Sequence, residues 1–87
     1  MTVIPNPAAG ATKVNNSHKF VKPATLEQVA RALYSITQVN YPFQGKGPGR
    51  HQARWEKVVV NVWTTGTVLV QGHDAKVKGE QLEAAVV

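Results

Sequence analysis

Alternation of valine with polar residues is the clearest pattern along this chain. In VVVNVWTTGTVLVQG, from Val58 to Gly72, Val58, Val60 and Val62 share one face of an extended strand. With the strand taken from Arg54, its other face holds Trp55, Lys57, Val59, Asn61 and Trp63. Thr64-Thr65-Gly66 supplies a turn, with Gly66 free to take positive φ. The return strand, Thr67 to Gln71, puts Val68 and Val70 on one face and Thr67, Leu69 and Gln71 on the other. Ahead of this hairpin the period is helical. Leu26, Val29, Ala30, Leu33 and Ile36 form one apolar stripe, and Thr25 with Gln28 three positions on makes a capping box. The spacing predicts a helix over Leu26 to Thr37, closed by Asn40-Tyr41-Pro42.

The remaining segments are weaker in pattern. A short strand is expected between Lys13 and Lys22, centred on His18 to Lys22, after an aperiodic arm over residues 1–12. The stretch YPFQGKGPGRHQ, Tyr41 to Gln52, with three glycines and Pro48 within Gly45 to Gly49, reads as a mobile loop that carries Lys46, Arg50 and His51. Its Gly-Lys pair lacks the spacing of a phosphate-wrapping P-loop. Gly72-His73-Asp74 ends the last strand, and Gly79 to Val87 reads as a short amphipathic helix through Leu82, Ala85 and Val86. The order β-α-β-β-β-α, with one or two edge strands before the central pair, predicts an α+β fold. Residues 13–87 would form one domain, an antiparallel sheet with helices on one face.

Composition narrows the chemistry. The 87 residues contain no cysteine, so neither disulfides nor thiolate metal sites enter. No apolar run approaches the roughly 20 residues that cross a bilayer. The N-terminal stretch, broken by Pro5, Pro7 and Gly10, lacks the apolar centre of a secretory signal. A cytoplasmic protein with no membrane partner is the expectation. His18, His51 and His73 stand far apart without acidic partners at ligand spacing, so no metal is expected. With five carboxylates and no nucleophile–base spacing, the expectation is a non-enzymatic protein without a cofactor.

Charge points elsewhere. The net charge is +5, and residues 1–54 hold seven of the ten lysines and arginines against Glu27 alone. Such an excess attracts polyanions or an acidic protein surface. Two indoles, a lysine and an amide on one strand face suit a binding surface better than a core.

The run Val60-Asn61-Val62-Trp63-Thr64-Thr65-Gly66-Thr67-Val68-Leu69-Val70-Gln71-Gly72 resembles the repeat of the TATA-binding protein: a hydrophobic strand ending in an aromatic, two small residues and glycine, then a hydrophobic strand closing on a polar residue and glycine. The N-terminal domain of type-III bacterial ribonuclease H is similar to the same unit. Thr67 stands where the repeat has lysine. The resemblance implies that Trp63 matches the aromatic this family wedges between bases, and that Asn61, Leu69 and Gln71 lie on the concave, nucleic-acid-facing side. With a single repeat, the resemblance implies a homodimer for a full saddle, or else a different binding mode.

Together these features predict a small protein that binds nucleic acid, RNA or an RNA-containing duplex ahead of specific DNA. Trp55 and Trp63 would stack, Asn61 and Gln71 would hydrogen-bond, and Lys46, Arg50, Arg54 and Lys57 would neutralise phosphate. The rival expectation is a protein-binding inhibitor or adaptor, such as a phage or mobile-element antagonist or an antitoxin-type partner of a host enzyme. Aromatic and arginine side chains also dominate protein hot spots.

Overall fold

The structure, a computed structural model, describes residues 17–86. The expected arm over residues 1–12, the start of the domain at residue 13 and Val87 lie outside the described residues. Seven elements follow in order: β1 (Ser17–Lys19), α1 (Leu26–Thr37), β2 (Gln44–Gly45), β3 (Arg50–Trp55), β4 (Val58–Trp63), β5 (Val68–Gly72) and α2 (Ala75–Ala85). The strands make one sheet in the order β1-β5-β4-β3-β2, with every neighbouring pair antiparallel. This is the α+β class, with helices on one face of an antiparallel sheet. No helix among the described residues is long and apolar enough to cross a membrane.

Helix α1 forms where the pattern places it. The Thr25 side chain accepts from the Gln28 N–H at 3.1 Å and the Gln28 side chain accepts from the Thr25 N–H at 2.9 Å. Two of the four N–H groups that a helix start leaves unpaired are thereby satisfied. Val29, Ala32 and Leu33 turn inward, and Gln38 in left-handed geometry ends the helix.

Cross-strand register fixes which side chains share a face. Trp55 pairs with Val58, Ala53 with Val60 and His51 with Val62. Across β5, Val60 pairs with Val70 and Val62 with Val68. These residues face the helices, and Phe20, Ala24, Leu33, Ala75 and Leu82 close the core above them. Each valine so buried contributes roughly 1.5–3 kcal/mol relative to exposure. Tyr41 and Phe43, from the link between α1 and β2, pack on the same core. Continued backwards from the Gln44–Gln52 pair, the ladder would next need an N–H from Pro42, which has none, so β2 is only two residues long.

Besides β1, which ends at Lys19 rather than centring on His18 to Lys22, three expectations change. Strand β3 begins at Arg50 rather than Arg54, because the glycine-rich stretch is a tight hairpin turn in which the Lys46 N–H donates to the Arg50 carbonyl at 2.8 Å. Helix α2 begins at Ala75, four residues before Gly79. The third change concerns Trp55. Glu56 and Lys57 are a turn, with Glu56 at φ 54°, so β3 and β4 are separate strands. Trp55 therefore faces the core, only 3% exposed, rather than sharing a face with Asn61 and Trp63.

Candidate functional site

The sheet face away from the helices carries the candidate chemistry. By register it holds Gln44, Arg50, Gln52 and Arg54 from β2 and β3, Val59, Asn61 and Trp63 from β4, Leu69 and Gln71 from β5, and Ser17 and Lys19 from β1. Neither α1 nor α2 packs on this side, because the valine face of β4 and β5 already takes both.

A row of three amides crosses the centre of the face. Gln52 Nε2 donates to Asn61 Oδ1 at 2.9 Å. Asn61 Nδ2 donates to the Leu69 carbonyl and to Gln71 Oε1, both at 3.2 Å. Asn61 is only 1% exposed, although its strand face is the one away from the helices, and its amide is held between the side chains of Gln52 and Gln71. Buried polar groups are costly unless paired, and this one is paired at both ends. The expected direct hydrogen bond from Asn61 to a ligand is thus ruled out by its burial. The groups open to a ligand are those of Gln52, half-buried, and Gln71, exposed.

Positive charge flanks the row. Arg50 and Arg54 stand on β3, and Lys19 stands on β1 at the opposite edge. Lys46, Gln52 and Arg54 line one hollow of about 260 Å³ with Pro42, Gln44 and Val59, which brings the Lys46 turn to the face. All five carboxylates lie elsewhere: Glu27 on α1, Glu56 in the β3–β4 turn, Asp74 at the start of α2, and Glu80 and Glu83 on α2. Arg54 carries no carboxylate partner among the described residues, whereas Arg31, Lys76 and Lys78 on the helices each have one.

Trp63 ends β4 at one corner of the face, partly buried, with the Arg50 guanidinium 6.0 Å from its ring centre. The Arg50 Nε–H also donates to the Lys46 carbonyl at 3.1 Å, which holds the guanidinium near the indole. Beside Trp63 opens a mainly apolar cleft of about 530 Å³ between the start of α1 and the β4–β5 turn, lined among others by Pro23, Leu26, His51 and Val62. Gly66 shapes this corner, since at φ 101° its missing Cβ would stand 2.9 Å from the Pro23 Cβ.

Two expected site residues fall outside the face. Trp55 lies in the core under Lys78, whose Nζ stands 4.9 Å from its ring centre and is held by Glu56 at 2.7 Å. Lys57 sits in the turn, exposed but off the strand face. Two residues were missed. Gln52 and Lys19 share strand parity with residues of the open face, and extending β3 back to Arg50 would have found the first.

The edge strand that presents Lys19 is fastened from behind. His18 Nε2 donates to Glu83 Oε1 at 2.9 Å, and the N–H groups of Val21 and Lys22 donate to Glu83 Oε2 at 2.8 and 3.3 Å. Burial pushes the Glu83 carboxyl up, but these hydrogen bonds and the His18 charge outweigh it and hold it below the ordinary carboxylate value. No group of three His, Cys, Asp or Glu side chains that could hold a metal occurs among the described residues. Comparison with protein-family models, with curated proteins and with solved structures finds no match for this chain.

Proposed function

We propose that the open sheet face binds nucleic acid without catalysing a reaction, and that an RNA duplex or RNA-containing duplex is its preferred ligand. The observation that carries this reading is the segregation of charge. Lys19, Arg50 and Arg54 share a face with an amide row and an indole, while every carboxylate belongs to the helices or to the turns at the sheet's end. Phosphate contacts of this kind supply most non-specific affinity, and amides and aromatics then meet bases or sugars.

Spacing favours a broad groove. From β3 to β1 is three strand steps, about 14 Å, with the amides between the two basic lines. The B-form minor groove is only about 6 Å wide, whereas the A-form minor groove is wide and shallow and displays 2′-hydroxyls. A sheet face with amides at its centre and cations at its margins suits the latter. Trp63 stacks at one end of the contact, and the likeness of its hairpin to the TATA-binding repeat points to the same face. A two-repeat saddle would take two copies of the chain. The setting that suits such a ligand is cytoplasmic.

The test is fluorescence anisotropy with a labelled short RNA duplex, the matching RNA–DNA hybrid and the matching DNA duplex over a salt series. Arg54→Ala and Lys19→Ala should each weaken binding across sequences and flatten the salt slope by about one phosphate contact. Absence of binding to all three duplexes at low salt refutes the reading. The apolar cleft beside Trp63 and Arg50 favours a protein partner as the second reading, since it offers an anchor pocket next to hot-spot residue types. A partner captured from nuclease-treated lysate and lost on Trp63→Ala would support that reading instead.

A further inference from the structure

We infer that Asn61 is a positioning residue that fixes the hydrogen-bond polarity of the open face: Gln52 presents its carbonyl oxygen to the ligand and Gln71 presents its NH2 group. This rests on the nucleic-acid reading of the face and says how the ligand is read.

The argument starts from one backbone atom. The Leu69 carbonyl can only accept, so the Asn61 group 3.2 Å from it must be the NH2. The other end of the Asn61 amide is then its oxygen, and the Gln52 atom 2.9 Å from that oxygen must be a nitrogen. The second Asn61 N–H reaches Gln71 at 3.2 Å, and that atom must be an oxygen. A single β5 carbonyl thus sets three amides in series. The atoms left without any bond among the described residues are Gln52 Oε1 at the β3 side and Gln71 Nε2 at the β5 side. A freely rotating glutamine presents either end indifferently, but here Gln52 keeps its whole carbonyl oxygen free beside one N–H, and Gln71 its whole NH2 beside one oxygen lone pair.

The ligand chemistry follows. On the β3 side the face accepts from a 2′-hydroxyl or from an exocyclic amino group such as that of guanine. On the β5 side it donates to a 2′-hydroxyl oxygen, a purine N3 or a pyrimidine O2. Asn61 itself, at 1% exposure, touches none of these. Its part is to hold two long side chains in one rotamer each before binding, which removes an ordering cost otherwise met on association.

Two measurements test this. The first needs no ligand. In the wild-type protein one of the two side-chain NH2 protons of Gln52 should exchange with solvent more slowly than those of exposed Gln44, and both of Gln71 should exchange as fast as Gln44. Protection at Gln71 without protection at Gln52 overturns the polarity. The second is a binding cycle with the labelled RNA duplex and RNA–DNA hybrid. Asn61→Leu, close to isosteric, should leave the urea midpoint unchanged or raised, yet weaken binding about tenfold. In a Gln52→Met/Gln71→Met background the same substitution should have no further effect, because Asn61 acts only through these two. An equal loss in both backgrounds marks Asn61 as merely structural, and unchanged binding by Asn61→Leu in the wild-type background overturns the inference outright. If Asn61→Leu fails to fold, the first measurement still decides the polarity. Wild-type protein that binds neither duplex overturns the reading of the face itself and removes the binding role of Asn61, whatever the amide protection shows.

Discussion

Replacing Gly79 with alanine sets two well-calibrated effects against each other. In the interior of an exposed helix, alanine is favoured over glycine by about 1 kcal/mol. Here the added Cβ would stand 2.5 Å from the His18 Cβ and 2.7 Å from its Cγ and Cδ2. Non-bonded carbons prefer about 3.5–4.0 Å, so the overlap is on the order of 1 Å. The ring cannot swing away to relieve it, because the Cβ is part of the clash and Nε2 is tied to Glu83 at 2.9 Å. Helix α2 must lift from β1, at about 1–3 kcal/mol for overpacking of this kind. The expected net effect is a loss of about 1 kcal/mol, a fall of roughly 0.5–1 M in the urea midpoint of so small a domain. Tryptophan fluorescence would follow it through Trp55. In a His18→Gly background, where Cβ and ring are both absent, the sign should reverse and Gly79→Ala should raise the midpoint. A rise in the wild-type background, or an equal fall in both, would refute the close-approach account.

Glu83→Gln should act through pH. The folded carboxyl titrates below the ordinary value of 4.5, so its stabilisation is complete above that pH and is lost as pH falls through the lower folded value. The urea midpoints of wild type and Glu83→Gln should therefore differ most above pH 4.5 and converge below it; a constant gap across the acid range would count against the assignment. The two indoles should separate cleanly. Trp55→Ala should lose about 3–5 kcal/mol of stability, while Trp63→Ala should unfold at a midpoint nearer wild type and lose binding to the RNA duplex. Comparable destabilisation by both would place Trp63 in the core as well.

The sequence reads well where a local rule has no competitor. The capping box of Thr25 and Gln28 and the stripe through Val29 and Leu33 define α1 to its last residue, and the Thr64-Thr65-Gly66 turn sets the phase of β4 against β5. The misreading of Trp55 has a geometric cause. In a two-residue hairpin the partners are i and i+3, so the in–out parity reverses across the turn, and Glu56-Lys57 lacks the glycine, asparagine or aspartate that usually marks one. Strict alternation from Arg54 therefore carried Trp55 to the wrong face. Gly79 misled in the opposite way. It reads as a helix boundary, but α2 runs straight through it because His18 needs the space. Gln52 was hidden inside a glycine-rich loop whose turn ends at Gly49. The burial of Asn61 depends on three strands meeting, and no local pattern contains it.

That burial also bears on how the sheet finds its alignment. Strand β4 reads V-V-V-N-V-W, and a two-residue slip against β5 would keep valines facing inward and preserve the alternation. Hydrophobic patterning alone distinguishes the two arrangements poorly, since it specifies the face and not the step. The slip would, however, carry Asn61 from opposite Leu69 to opposite Gln71 and take its NH2 away from the Leu69 carbonyl. A covered amide without its acceptor costs about 1–3 kcal/mol. One asparagine among interchangeable valines thus acts as an index mark, giving a repetitive strand a single position in which all its polar atoms are matched.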